Sequence, residues 1–164
     1  MSKAKMKEFI RVKVSECEDY LSYLYCMWHH CGANLCAYQE LMILFSSLWD
    51  SLIMTVANLT HRDKPDDNPT INIYRICEIP DDITEICEKI RICRNKIVAH
   101  YDKKKIEEAY SDYRTLREDI VKILNCLERI ISDDNYEVTK NTITPNAREF
   151  ERMIKRHIEG DYTI

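Results

Sequence analysis

Glycine is nearly missing from this chain: two residues in 164, with only four prolines beside them, where ~7% glycine is usual. Glycine supplies the tight turns of strand-rich folds and the phosphate-cradling loops of nucleotide-binding α/β folds. Its scarcity argues for helices. No G-x-G-x-x-G or G-K-[ST] string is present, which removes the Rossmann and P-loop enzymes. C-x-x-C is also absent. The eight cysteines, at 17, 26, 31, 36, 77, 87, 93 and 126, are about 5% of the chain, below the ~8–10% of disulfide-stapled domains. Reduced thiols in a cytosolic protein are the expected state. Positive charge is not in excess either: the net charge is −4, which gives no global pull toward nucleic acid or anionic lipid. The first eight residues lead into a charged helical pattern with no apolar signal core behind them, so a cytoplasmic location is expected.

What remains is a soluble composition, 45% hydrophobic and 32% charged, in a length that builds one core. Leu41–Leu59 is long enough to raise a membrane reading. Asp50 at its centre, flanked by Ser46, Ser47 and Ser51, favours instead the buried helix of a soluble protein.

The periodicity is helical throughout. Ile10, Val14, Cys17, Leu21, Leu24, Trp28 and Cys31 make a heptad stripe that Gly32 stops. From about Leu35 to Leu59 a second stripe runs through Leu41, Phe45, Leu48, Leu52, Val56 and Leu59, widened by Leu44, Trp49 and Ile53; it reads as the central, most buried helix. His61–Thr70 is a polar loop with two prolines, and a short amphipathic piece follows at Ile71–Cys77. A third helix opens at Asp81–Asp82, whose carboxylates suit a helix N-terminus. A fourth runs from about Lys103 to Ile131, with Arg117 interrupting its stripe and Leu116 covering the gap. Thr144-Pro145 is an N-cap and first helical residue, opening a last helix through Ala147, Phe150, Ile154 and Ile158. The expected fold is all-α, an antiparallel bundle of four to five helices over residues 1–131, with a C-terminal extension over 132–164 carrying one short helix.

Charge is unevenly spread. Between Lys89 and Lys105 there are seven bases and one acid, Asp102, so seventeen residues carry +6 and the other 147 carry −10. Cations near a helix C-terminus complement its dipole, and the same cluster suits a phosphate-bearing partner. With Ile90 at zero on a helical wheel, Ile83, Ile86, Cys87, Cys93 and Ile97 fall within about 60° of it, and Arg94 falls at about 40°. A guanidinium on an apolar stripe is either paired with an acid of another helix, bent out to water, or turned to a cleft or a partner chain.

The string Arg94-Asn95-Lys96-Ile97-Val98-Ala99-His100-Tyr101-Asp102 resembles the signature of the HEPN superfamily, in which an arginine precedes a histidine by four to six residues within a small helical bundle. It is most similar to the abortive-infection, AbiU-like branch. Leu44-Phe45-Ser46-Ser47-Leu48-Trp49-Asp50-Ser51-Leu52 and Ala57-Asn58-Leu59-Thr60 resemble that branch too, and the likeness covers roughly residues 10–131. The resemblance implies metal-independent RNA cleavage, with no cofactor, in a homodimer that brings two motifs together. The setting it implies is bacterial phage defence, or a toxin paired with an antitoxin. By that resemblance Arg94, Asn95 and His100 are the catalytic candidates. Imidazole serves as base or acid near neutrality, Arg94 holds the phosphate through its planar fork, and Asn95 orients the phosphate or His100. Arg91, Lys96, Lys103, Lys104 and Lys105 are candidates to attract the RNA backbone, and Tyr101 either stacks on a base or packs in the core. Toxins of this family that an antitoxin modifies carry a tyrosine two positions after the histidine; here that position is Asp102, and Tyr101 does not inherit the role. The competing reading is a non-catalytic helical module that binds RNA or protein, with Arg94 in a buried ion pair.

Cys26 and His30 lie four apart on one helix, a spacing compatible with zinc. No second ligand pair is evident, and reduced cysteines with surface or interface histidines explain them as well. No metal site is assigned.

Overall fold

Ser2 opens the first helix, its hydroxyl oxygen accepting from the Lys5 N–H at 3.4 Å. Helix α1 runs Lys3–Cys31 until Gly32, at φ 49°, turns the chain and returns its N–H to the Trp28 carbonyl. A computed structural model describes residues 2–62, 72–99, 113–132 and 144–160. Among these residues there are five α-helices and no strand. After a 3-10 segment at Gly32–Ala37 come α2 (Gln39–Leu59), a single 3-10 turn (Ile73–Arg75), α3 (Asp81–Ala99), α4 (Tyr113–Ile131) and α5 (Pro145–Glu159). The all-α bundle that the periodicity implies is the fold.

The start of α1 meets the end of α2, with Phe9 and Lys13 beside Thr55 and Asn58; Leu24 and Trp28 meet Phe45 and Trp49 at the other end. The two helices are therefore antiparallel. Helix α4 is also antiparallel to α1: Arg11 Nη2 donates to the Ile131 carbonyl at 3.1 Å, and the Arg117 guanidinium lies over the Tyr25 ring. Helix α3 packs on α2 and α4 and completes a four-helix ring. Ile10, Val14, Leu52, Ile53, Val56, Ile90, Ile120, Ile123 and Leu124 fill it, each 1% exposed or less, and burying each stabilises the fold by about 1.5–3 kcal/mol.

Two expectations need correction. The most shared helix is α1, which packs against α2, α4 and α5, whereas α2 is a wall of the ring. Its length and composition alone would allow it to cross a membrane; in this bundle Leu41, Phe45, Trp49, Leu52, Ile53, Val56 and Leu59 are buried. Trp28 and Leu44, both placed on inward stripes by spacing, are 58% and 37% exposed. The helices part at that end, and Trp28 stands at the mouth of a pocket.

Helix α5 docks on the second face of α1 and runs parallel to it. Thr144 caps α5 by accepting from the Ala147 N–H, and its own hydroxyl and the Asn146 amide donate to Asp19. The Tyr23 and Phe150 rings lie 4.7 Å apart, and His30 Nε2 meets Glu151 Oε1 at 2.9 Å. That contact gives His30 a carboxylate partner on α5, beside Cys26, whose thiol is raised by burial first and by Glu151 next. Among the described residues, no three His, Cys, Asp or Glu side chains converge as a metal site would require.

Candidate functional site

Arg94 lies one turn and a half before the end of α3. Ile86, Cys87 and Ile90 seat that helix in the core, and Cys93, partly buried against the same core, immediately precedes Arg94. Its guanidinium is partly exposed there. Nε and Nη2 both donate to Asn95 Oδ1, at 3.2 and 2.9 Å, a fork on a neutral amide that leaves the cation's charge uncompensated by that partner. Among the described residues no acid forms an ion pair with Arg94. Of the alternatives open to an arginine on this stripe, the cleft is the one observed.

The cleft measures about 620 Å³ and is shared by three helices. Helix α1 contributes Phe9 and Lys13, α2 contributes Thr55, Asn58 and Leu59, and His61 follows α2 into the same space. Lys13 Nζ reaches Glu16 Oε2 at 2.6 Å and stands 5.8 Å from the centre of the Phe9 ring. Thr55 turns its hydroxyl back to the Ser51 carbonyl at 2.8 Å, and Arg94, Lys13, Asn58 and His61 line the cleft beside it. Arg94, an amide and an imidazole on one open surface, with Lys13 held in its pair with Glu16, suit an anionic, hydrogen-bonding chain.

A second cleft of about 730 Å³ adjoins it, with His61 lining both. Arg91 belongs to this second surface, with Lys89 and Arg62. Arg91 Nε donates to Glu88 Oε2 at 2.8 Å; that hydrogen bond holds the carboxyl below its ordinary range and the guanidinium above its own. The structure therefore separates Arg91, neutralised on its own helix, from Arg94 in the neighbouring cleft. Lys96 lies on the last turn of α3, its side chain outside the described residues, as are His100, Tyr101, Lys103, Lys104 and Lys105.

Sequence reasoning missed Lys13 and His61. Lys13 lies in a helix of ordinary mixed charge, and nothing in its spacing marks it. His61 carried a weak signal, since it closes the Ala57-Asn58-Leu59-Thr60 string; only the packing of α2 on α3 brings it beside Arg94. Compared with family models, curated proteins and solved structures, the chain finds no match.

Proposed function

We propose that this chain is a metal-independent RNA endonuclease of the cytoplasm, acting as a homodimer in phage defence or as the toxin of a toxin–antitoxin pair. The observation that carries the reading is Arg94 on an open cleft with Lys13, Asn58 and His61, its fork resting on Asn95 and ready to exchange that amide for a phosphate. The motif's resemblance supplies the rest. The 2′-hydroxyl attacks the adjacent phosphorus while an imidazole takes its proton, and the P–O5′ bond breaks as a second acid protonates the leaving oxygen. The strand ends in a 2′,3′-cyclic phosphate on one side and a 5′-hydroxyl on the other. His100 supplies one of the two proton-transfer groups, and a second copy of the chain supplies the other. Arg94 stabilises the charge that builds on the phosphoryl oxygens.

The test is single-stranded RNA incubated in chelator with the parent protein, Arg94→Ala and His100→Ala. Cleavage is expected from the parent and should fall about 10²–10³-fold in each variant. Arg94 is partly exposed, so its truncation leaves the helical circular dichroism unchanged. Cleavage equal in all three proteins, or dependent on a divalent ion, would sink the reading.

A further inference from the structure

Phe9 is an aromatic ring that the core does not take. Its neighbour Ile10 is fully buried, whereas Phe9 is 37% exposed and lines the Arg94 cleft together with Asn58 and Leu59 of α2. Lys13 Nζ, paired with Glu16, stands 5.8 Å from the ring centre, the outer limit of a cation–π contact. A large apolar ring held against water is unfavourable in the free protein, and a flat partner laid on it recovers that loss.

The adjoining cleft repeats the combination. Ile73, fully buried, anchors the 3-10 turn that carries Tyr74, and the exposed Arg62 guanidinium lies 5.7 Å from the Tyr74 ring centre. Arg62, Lys89 and Arg91 there outnumber Glu85 and Glu88 by one, so stacking rather than charge is what this surface offers. A guanidinium plane backed by a phenol ring is, like Phe9, a platform for a base. His61 lines both clefts and joins them. At about 620 and 730 Å³, each has room for a small planar group. Stacking tolerates any base, since every base has a π-face. It requires that face to be free, which a single strand permits and a duplex does not.

Resting on the nuclease reading of Arg94 and His100, we propose that the two clefts form one track for single-stranded RNA. One unpaired base lies on Phe9, a neighbouring base lies on the Arg62–Tyr74 pair, and the backbone between them passes His61. The substrate class is unpaired RNA, and Phe9 and Arg62 bind its bases without taking part in the proton transfers.

Fluorescence anisotropy with labelled 2′-O-methyl RNAs, which 2′-hydroxyl attack cannot cut, reads binding to the full chain. The probes are a single strand, a hairpin duplex, and a single strand lacking bases. The single strand should bind about tenfold tighter than either of the others. Phe9→Ala, at a partly exposed position that keeps the helical circular dichroism, should weaken the single strand about fivefold or more and leave the other two probes unchanged. Phe9→Trp should restore the parent's affinity. Arg62→Lys, which keeps the charge and removes the plane, should weaken the single strand alone. Equal affinity for the three probes, no binding of any, or single-strand affinity unchanged in Phe9→Ala or in Arg62→Lys overturns the proposal. So does a Phe9→Ala protein in which only the oligomeric mass changes. Base-dependent binding without cleavage by the parent would sustain this inference and sink the nuclease; cleavage indifferent to both variants would do the reverse.

Discussion

At the scale of single residues, the same side-chain chemistry takes different roles according to what lies around it. Arg91, Arg94 and Arg117 are one residue type in three settings: neutralised by Glu88, forked on an amide at a cleft, and laid over an aromatic ring. The cysteines show the same dependence. Burial pushes the Cys87 thiol up to about 11 from an ordinary value near 9.0, and Cys17, fully buried in the core, is raised by burial as well. A thiol whose folded pKa exceeds its unfolded one favours the folded state until the unfolded thiol begins to ionise. Melting temperature should therefore fall as pH rises from about 9 toward 11, and Cys87→Ala should flatten that fall. At pH 8, alkylation of the native protein should spare Cys17 and Cys87 and reach them only in denaturant. His61 offers a further check. As a group lining the Arg94 cleft, its replacement by alanine should slow RNA cleavage about tenfold, less than the loss at His100.

At the scale of elements, the helix ends were the most legible features and the faces the least. Gly32, Asp81 and Thr144-Pro145 stand where the helices stop or start, because each residue acts on its own backbone and needs no distant partner. Gly32→Ala should cost about 1–3 kcal/mol, since its φ of 49° strains any side chain whatever space surrounds it. Thr144→Ala should cost about 1 kcal/mol by losing the cap, measured by urea unfolding. Faces depend on tertiary packing, and there the stripes misled. Heptad spacing put Trp28 inward because spacing records angle around the helix but not where the neighbouring helix ends. It also left the Cys26–His30 side of α1 unexplained, although Ser22, Cys26 and Met27 are buried. Ser22 and Cys26 are small and weakly polar, and Met27 alone makes no stripe, so no apolar pattern announced the helix on that side. Ile154→Ala on α5, which empties a buried position, should destabilise by about 2–5 kcal/mol.

At the scale of the whole molecule, the negative total conceals a divided surface. Of the cations that sequence grouped between Lys89 and Lys105, Arg94 lines the cleft, and Lys13, some eighty residues earlier, lines it too. That is why the site was half legible: a linear charge run can be counted, but a cleft is assembled from residues whose separation carries no pattern. If RNA lies there, its affinity should fall with salt, and Lys13→Ala should reduce the slope of log affinity against log salt by about 1. A neutral substitution far from the cleft should leave that slope unchanged.

The placement of the two indoles has its own consequence. Trp28 and Trp49 are the chain's only tryptophans, and both border one pocket, so the intrinsic emission of this protein reports from one end alone. Iodide should quench the exposed fluorophore and spare the buried one, and Trp28→Phe should leave a single blue-shifted emitter. An oligonucleotide seated wholly at the opposite end would pass unnoticed by this light, and a spectral change on adding it would mean that it had reached across.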